Sequence, residues 1–474
     1  MRLLIWVCIV CLSGCVANAP FRSQSGHDCG GHLSGCGKDL EVYDNFNVAF
    51  FEYTERGNDL DPIRKKILLE KIQAQSHPHG LALVVFVHGW KHNASTGDDN
   101  VQSFRSALFR IADSKVIGGR KLIGVYVGWR GLSLKVPVLR QLTFWDRKAT
   151  AEEVGRGGVT KLLLDLERIS KENNKNFMLT VGHSFGAAIT FSALHDVLLY
   201  KMVAAENGEP LVPFGNGVVL LNPALEANQG LLLKESSMRL GAAGKRMPSL
   251  MHVISSRADM PTNLAFPIGQ FFGITMTWDQ GFLERSYEEM LKLPGRKRML
   301  MLSEREMDET TIGNYSPFFT GSIGDSEVGE GLSDLALKNT TNSAGFSAEY
   351  TPFSLSKRLM PNPSSWDVWS LPGIGLGAGW RHDTYCSAEG WGAARFPCFK
   401  DDPIDFISVP KTFIANHNDV FNAKVVALLS AIVVQSYWQR VDRIDPPRFC
   451  RDSSDEFSFS NCFSAYLRYY ERSS

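Results

Sequence analysis

Short, nearly continuous apolar runs recur along the first half of the chain: Asn47–Tyr53 (NVAFFEY), Leu81–Val87 (LALVVFV), Leu122–Val127, Phe177–Val181, Val218–Leu221 and Met251–Ser255. Runs of this length, rich in β-branched and aromatic residues, predict strands covered on both faces. Between them lie stretches with helical spacing. Asp61–Gln75 places Ile63, Ile67, Leu68 and Ile72 on one face, and Asn100–Ala112, Val159–Ser170 and Ala187–Leu199 follow. Strand alternating with helix predicts an open α/β fold, a mostly parallel sheet with helices on both faces. Such sheets bind ligands beyond the carboxyl ends of their strands, so chemistry is expected in those loops.

The alternation lapses between Trp278 and Asp402, where Gly and Ser cluster over 321–331 and 340–347. The Gly-rich run Gly373–Gly379 lacks nucleotide-loop spacing and is read as a plain loop. Regular pattern returns with a strand at Phe406–Val409 and a helix at Val420–Tyr437. The apolar heart of that helix, bounded by Lys424 and Gln435, is shorter than the ~20 residues a bilayer span needs, so it is read as a buried helix. No internal repeat is present.

At the N-terminus, Arg2 followed by the apolar run Leu3–Leu12 has the form of an export signal. Ala17-Asn18-Ala19 has the small-x-small form of a cleavage site, but Pro20 would then follow the cut, a poor partner for cleavage. Leu12-Ser13-Gly14-Cys15 instead resembles the lipobox of bacterial lipoproteins. That resemblance implies that Cys15 becomes the lipidated first residue, and that the chain sits in the cell envelope. Val16 stands where many inner-membrane lipoproteins carry aspartate, which implies outer-membrane attachment facing the periplasm.

Of nine cysteines, Cys8 and Cys11 fall in the signal and Cys15 is the anchor. The rest form three close pairs along the chain, Cys29/Cys36, Cys386/Cys398 and Cys450/Cys462, and are candidates for local disulfides, with connectivity open. The rival reading, zinc, lacks any C-x-x-C pair, and no metal is expected. Composition (44% apolar, 21% charged) is that of a globular protein and excludes disordered, collagen-like and coiled-coil classes. Fifty basic residues balance fifty acidic ones, which gives no reason to expect nucleic acid. A chain of 474 residues accommodates roughly 2–4 domains or one enlarged α/β domain.

The strongest chemical signal is Gly182-His183-Ser184-Phe185-Gly186, between the strand FMLTV and the small residues Ala187-Ala188. Strand, tight turn and helix in that order make a nucleophile elbow, which presents a serine in a strained conformation that only small neighbours permit. The second is Val87-His88-Gly89-Trp90, ending the most apolar early strand. A turn there can aim the N–H of Gly89 or Trp90, together with that of Phe185, at the oxygen of an acyl intermediate. His88 is read as a brace for that turn.

The order HG, GHSFG, acid, late histidine resembles the α/β-hydrolase superfamily, and within it a bacterial group of serine hydrolases, some of them lipoproteins. Thr311-Ile312-Gly313-Asn314-Tyr315 is also similar to this group. The resemblance covers roughly 45–275 and 403–437. It implies an α/β-hydrolase core at 45–277, an insertion at 278–402, and a last core strand and helix at 403–440. A signal peptide at 1–14 and a lipidated tether at 15–44 precede these, and an extension at 441–474 follows. Family order implies Asp259, just past the strand Met251–Ser255, as the acid, with Glu226 the alternative. It implies His417 as the base, with His382 the alternative. The long stretch from Asp259 to His417 departs from simple members of the fold and requires the insertion. Trp278, Trp366, Trp369, Trp380 and Trp391 there would either line a lid or form the core of a small subdomain. The implied activity is hydrolysis of an ester or related acyl bond without a cofactor, and the alternative is a non-catalytic envelope protein that uses the scaffold for binding.

Overall fold

The computed structural model describes residues 19–23, 36–76, 79–113, 117, 119–129, 144–243, 247–259, 262, 281–286, 299–322, 402–422, 424–426, 428, 429 and 432. The chain runs β1 (Leu40–Val42), β2 (Phe46–Glu52), α1 (Pro62–Ala74), β3 (Leu81–Val87), α2 (Asp99–Asp113) and β4 (Lys121–Gly128). It continues α3 (Phe144–Val154), α4 (Thr160–Lys171), β5 (Phe177–His183), α5 (Phe185–Glu206), β6 (Gly217–Leu221), α6 (Leu231–Ala242) and β7 (Met251–Ser256). Last come β8 (Phe282–Ser286), β9 (Met299–Ser303), α7 (Glu304–Glu309), β10 (Gly321–Ser322) and β11 (Ile404–Val409).

Nine of the strands form one sheet in the order β1-β2-β4-β3-β5-β6-β7-β11-β10. All neighbours are parallel except β1, which runs antiparallel to β2. The period of two along β3 explains its lack of polar residues. Leu81, Leu83, Val85 and Val87 join a core with Leu68 and Ile72 of α1, Leu162 and Leu166 of α4, and Leu233 of α6. Ala82, Val84 and Phe86 join a second core with Phe104 and Leu108 of α2 and with Ile414, Val425 and Leu428. Each such side chain stabilises the fold by about 1.5–3 kcal/mol when fully buried, so a polar residue on either face of β3 would forfeit that contribution. The helix α5 is apolar and long enough to cross a membrane, but here it is the crossover from β5 to β6 and contributes Ile189, Leu194 and Leu198 to the first core.

Strand β3 has β4 on one side and β5 on the other. The chain therefore reverses its direction of travel across the sheet at β3, and the crevice beyond the carboxyl ends of β3 and β5 is the ligand-binding position for such a topology. His88-Gly89-Trp90 and Ser184 stand at those two ends.

Two expectations need correction. The tether expected over 15–44 ends in ordered structure, because β1 pairs with β2 and both Arg22 and Glu41 are fully buried. The Glu41 carboxylate accepts hydrogen bonds from Arg22 Nη1 (2.7 Å), Arg105 Nε and Nη2 (2.7 Å each) and Tyr43 OH (3.0 Å). Burial pushes the Glu41 pKa up, but the bonds and charge of Arg105, with Arg22 and Tyr43 adding to them, outweigh it and hold the carboxyl below its ordinary value. Charges such as Arg22, Glu41 and Arg105 are carried inside only by their mutual pairing.

The segment 278–402, expected to be irregular, includes the β8–β9 hairpin, α7 and the edge strand β10. Ile312, Tyr315 and Phe318 are buried in the first core, and Phe406 of β11 donates its N–H to Thr320 Oγ1 (2.9 Å). The run Met299–Leu302 buries only every second residue, but all four are apolar, so its period is invisible in sequence. The proposed signal, Cys15, Cys29, Cys386, Cys398, Cys450, Cys462, His382, the five insertion tryptophans and the C-terminal extension lie outside the described residues. Cys36 is described and is disulfide-bonded, and its pairing partner is not among the described residues.

Candidate active site

Ser184 occupies the single position between β5 and α5, with φ 57° and ψ −123°. A non-glycine residue is held in this region only by its surroundings. They are tight here. A Cβ at Gly182 would lie 2.6 Å from Thr190 Oγ1 and 2.7 Å from Ala187 Cα, and one at Gly186 would run into the carbonyl oxygens of Val87 and His88. The glycines of the motif thus allow α5 to start against the ends of β3 and β5. Ser184 donates its N–H to Leu221 O (3.1 Å), and its carbonyl accepts from the N–H groups of Ala187 (3.0 Å) and Ala224 (3.2 Å).

His417 lies in the loop after β11. Its Nε2 is 2.8 Å from Ser184 Oγ, and its Nδ1 is 2.8 and 2.9 Å from the two oxygens of Asp259. The carboxylate is fully buried, three residues past the end of β7, and also accepts the Thr262 N–H at 3.3 Å. With Nδ1 facing a carboxylate, the proton belongs on Nδ1, which leaves the Nε2 lone pair for the serine hydroxyl. Ser184, His417 and Asp259, drawn from the ends of three strands, form one hydrogen-bonded chain.

The loop carrying His417 is fastened by residues that the sequence did not single out. The His417 carbonyl accepts two hydrogen bonds, from His183 Nε2–H (2.8 Å) and Asn222 Nδ2–H (3.0 Å). Asn222 follows β6 at φ 44°, a left-handed position asparagine tolerates better than most residues. Its Oδ1 accepts the Ser256 N–H (2.9 Å), and Ser256 Oγ donates to Ile414 O (2.7 Å). His183 is buried, and burial together with the adjacent His417 holds its pKa well below the ordinary histidine value. It therefore stays neutral, with its proton on the Nε2 that faces the carbonyl. An Asn directly after a strand, at a turn, was the one sequence signal available for Asn222.

The turn after β3 lies against the serine: a Cβ on Gly89 would sit 2.8 Å from Ser184 Cβ. His88 braces this turn. Its Nδ1–H donates to Gly89 O (2.8 Å) and its Nε2 accepts the Trp129 N–H (3.1 Å), while Trp129 Nε1–H donates to His88 O (2.8 Å). The two rings stack at 5.7 Å and 12°. Burial brings the His88 pKa down to about 4, so the ring is a neutral strut. Because a trans peptide points its C=O and N–H in opposite directions, fixing the Gly89 carbonyl also fixes the direction of the Trp90 N–H. The Phe185 N–H opens α5, where the helix dipole favours negative charge.

Glu226, the alternative acid, is engaged elsewhere. Its carboxylate pairs with Lys148 and accepts from Gln229 Nε2 (2.8 Å), while its backbone bridges to Thr311. The segment Thr311–Tyr315 packs beneath the site. Asn314 Nδ2–H donates to Thr262 Oγ1 (3.0 Å), and a Cβ on Gly313 would run into Ser255 Oγ. It thereby supports the loop that carries Asp259. Comparison with protein-family models, with curated proteins and with solved structures returned no match, which leaves function to be argued from the site itself.

Proposed function

We propose that the protein is a serine hydrolase of the α/β-hydrolase fold, anchored to the bacterial envelope through Cys15, that cleaves an ester or related acyl bond. The observation that carries this reading is the unbroken chain from Ser184 Oγ through His417 to Asp259, on a serine at φ 57°. Ser184 Oγ attacks the substrate carbonyl carbon while His417 Nε2 accepts its proton. The resulting imidazolium is stabilised by Asp259, and the oxyanion by the N–H of Phe185 with that of Trp90 or Gly89. Collapse expels the alcohol, which takes the proton from Nε2 and leaves an acyl-serine. Water then attacks the acyl carbon by the same path, gives a proton to His417 that passes back to Ser184 Oγ, and releases the acid.

The test is covalent labelling by a fluorophosphonate probe, which phosphonylates an activated serine. Wild type is labelled and Ser184→Ala is not. Folded wild type that resists the probe would refute the reading and favour a binding role for the scaffold. An ester panel of increasing acyl length then measures how much chain the site accepts.

A further inference from the structure

The N-terminal segment and the serine meet the fold on one edge of the sheet. By register, Glu52 pairs with Gly128, Val127 with Val87, and Val87 with Gly182. The carboxyl ends of β2 and β5 therefore stand in line, three strands apart, or about 14 Å at the usual spacing. Glu52, the last residue of β2, receives the N-terminal segment: the N–H groups of Phe21 and Arg22 both donate to its carboxylate at 2.9 Å. Arg22 Nε–H donates to Ala94 O, in the same loop that carries His88 to Trp90 past Ser184. The Arg22 guanidinium then enters the interior, 3.6 Å over the Phe50 ring and in the shared grip of Glu41. Phe21, one residue earlier, is 43% exposed, so the first described residues lie at the surface on this edge.

Arg22 stands seven positions after Cys15, and a chain of that length reaches at most about 25 Å. A long flexible tether imposes no orientation on the domain it holds. A short one locked by a buried ion pair does.

We propose that lipidation of Cys15 turns the carboxyl edge of the sheet toward the bilayer, so that Ser184 acts on acyl esters of membrane lipids at the surface that anchors it. This rests on the hydrolase and lipid-anchor reading above and adds to it the orientation and the class of substrate.

The test uses full-length lipidated protein in vesicles of phosphatidylethanolamine and phosphatidylglycerol that carry an energy-acceptor lipid. A donor dye is placed on Ser184 through a fluorophosphonate, or on the opposite edge at the exposed residue before β6 through Glu209→Cys and a maleimide. Transfer to the bilayer is expected to be strong from Ser184, weak from position 209, and largely lost from Ser184 when about thirty Gly/Ser residues are inserted between Val16 and Ala17. Equal transfer from the two edges, or transfer indifferent to the insertion, overturns the orientation. Should the fluorophosphonate not react, Ser184→Cys with a maleimide dye reads the same distance, so failure of the hydrolase chemistry and failure of the orientation are separate results. For the substrate, a long-chain fluorogenic ester embedded in the vesicles is compared between lipidated protein and Cys15→Ser, each normalised to its rate on soluble p-nitrophenyl acetate. Lipidated protein is expected to be faster by about 100-fold, in keeping with the gain from tethering to the substrate surface. Equal normalised rates overturn the assignment.

Discussion

Asn222→Ala tests the fastening of the His417 loop most directly. The substitution removes the Nδ2–H that holds the His417 carbonyl at 3.0 Å, leaving only the bond from His183. It also removes the acceptor of the buried Ser256 N–H, an orphaned donor that costs about 1–3 kcal/mol. It further places alanine at φ 44°, a conformation worth about 1–2 kcal/mol of strain. Stability should therefore fall by about 3 kcal/mol, read as a lower urea midpoint at unchanged m. Asn222→Gly relieves the strain but restores neither hydrogen bond. The two variants should differ in stability by about 1 kcal/mol and agree in activity. In both, a loosened His417 should lower kcat about 10–100-fold on any ester the wild type turns over, with KM little changed, since misplacement by an ångström at the base acts on the chemical step. Wild-type kcat in both variants would refute the argument that Asn222 positions His417.

Ser184→Ala should keep the wild-type fold by circular dichroism and lower kcat by about 10⁴-fold or more, because the attacking atom is gone. Gly186→Ala should give little soluble protein, since its Cβ collides with the backbone of β3; a well-folded variant by thermal melting would count against the tight elbow. Glu41→Gln leaves Arg22 and Arg105 buried beside each other without the carboxylate they share, and should lose about 3–5 kcal/mol in denaturant unfolding. The pH dependence has two parts. Glu41 has a depressed folded pKa, so its contribution is complete above the unfolded value of about 4.3 and is lost as pH falls through the folded one. His88 and His183 are held neutral by burial while the unfolded chain takes up protons near pH ~6.5, so stability should decline below that pH, for His88 until about pH 4. Stability flat between pH 6.5 and 4.5 in urea melts would contradict the burial of the two rings.

Much of the sheet is legible in the sequence because its strands are covered on both faces, as β3 illustrates with seven apolar residues in succession. The serine is legible because G-x-S-x-G between a strand and small residues reports a steric requirement at Gly182 and Gly186. Asp259 and His417 are reached only through the resemblance, which supplies an order of residues that periodicity does not contain. Glu41 and Arg22 mislead because burial of a charge depends on partners distant in sequence, here Arg105 on α2. The sequence can mark Asn222 as a turn residue but not the role it shares with His183: both act on a main-chain carbonyl of a loop more than a hundred residues away, and backbone acceptors leave no mark on composition. Strand β9 is hidden because Met and Leu occupy its exposed and buried positions alike.

The strand order carries a consequence for when the site comes into being. Strand β11, which leads directly to His417, fits between β7 and β10, both of which precede it by many residues. Closing contacts across such separations is slow, and the slot has to stay open until the last part of the sheet has been synthesised. Until then Ser184 has no proton acceptor, however well the earlier strands have assembled. A nascent chain therefore carries Ser184 without its His417 partner, and the hydrogen-bonded chain to Asp259 is completed only with the final strand.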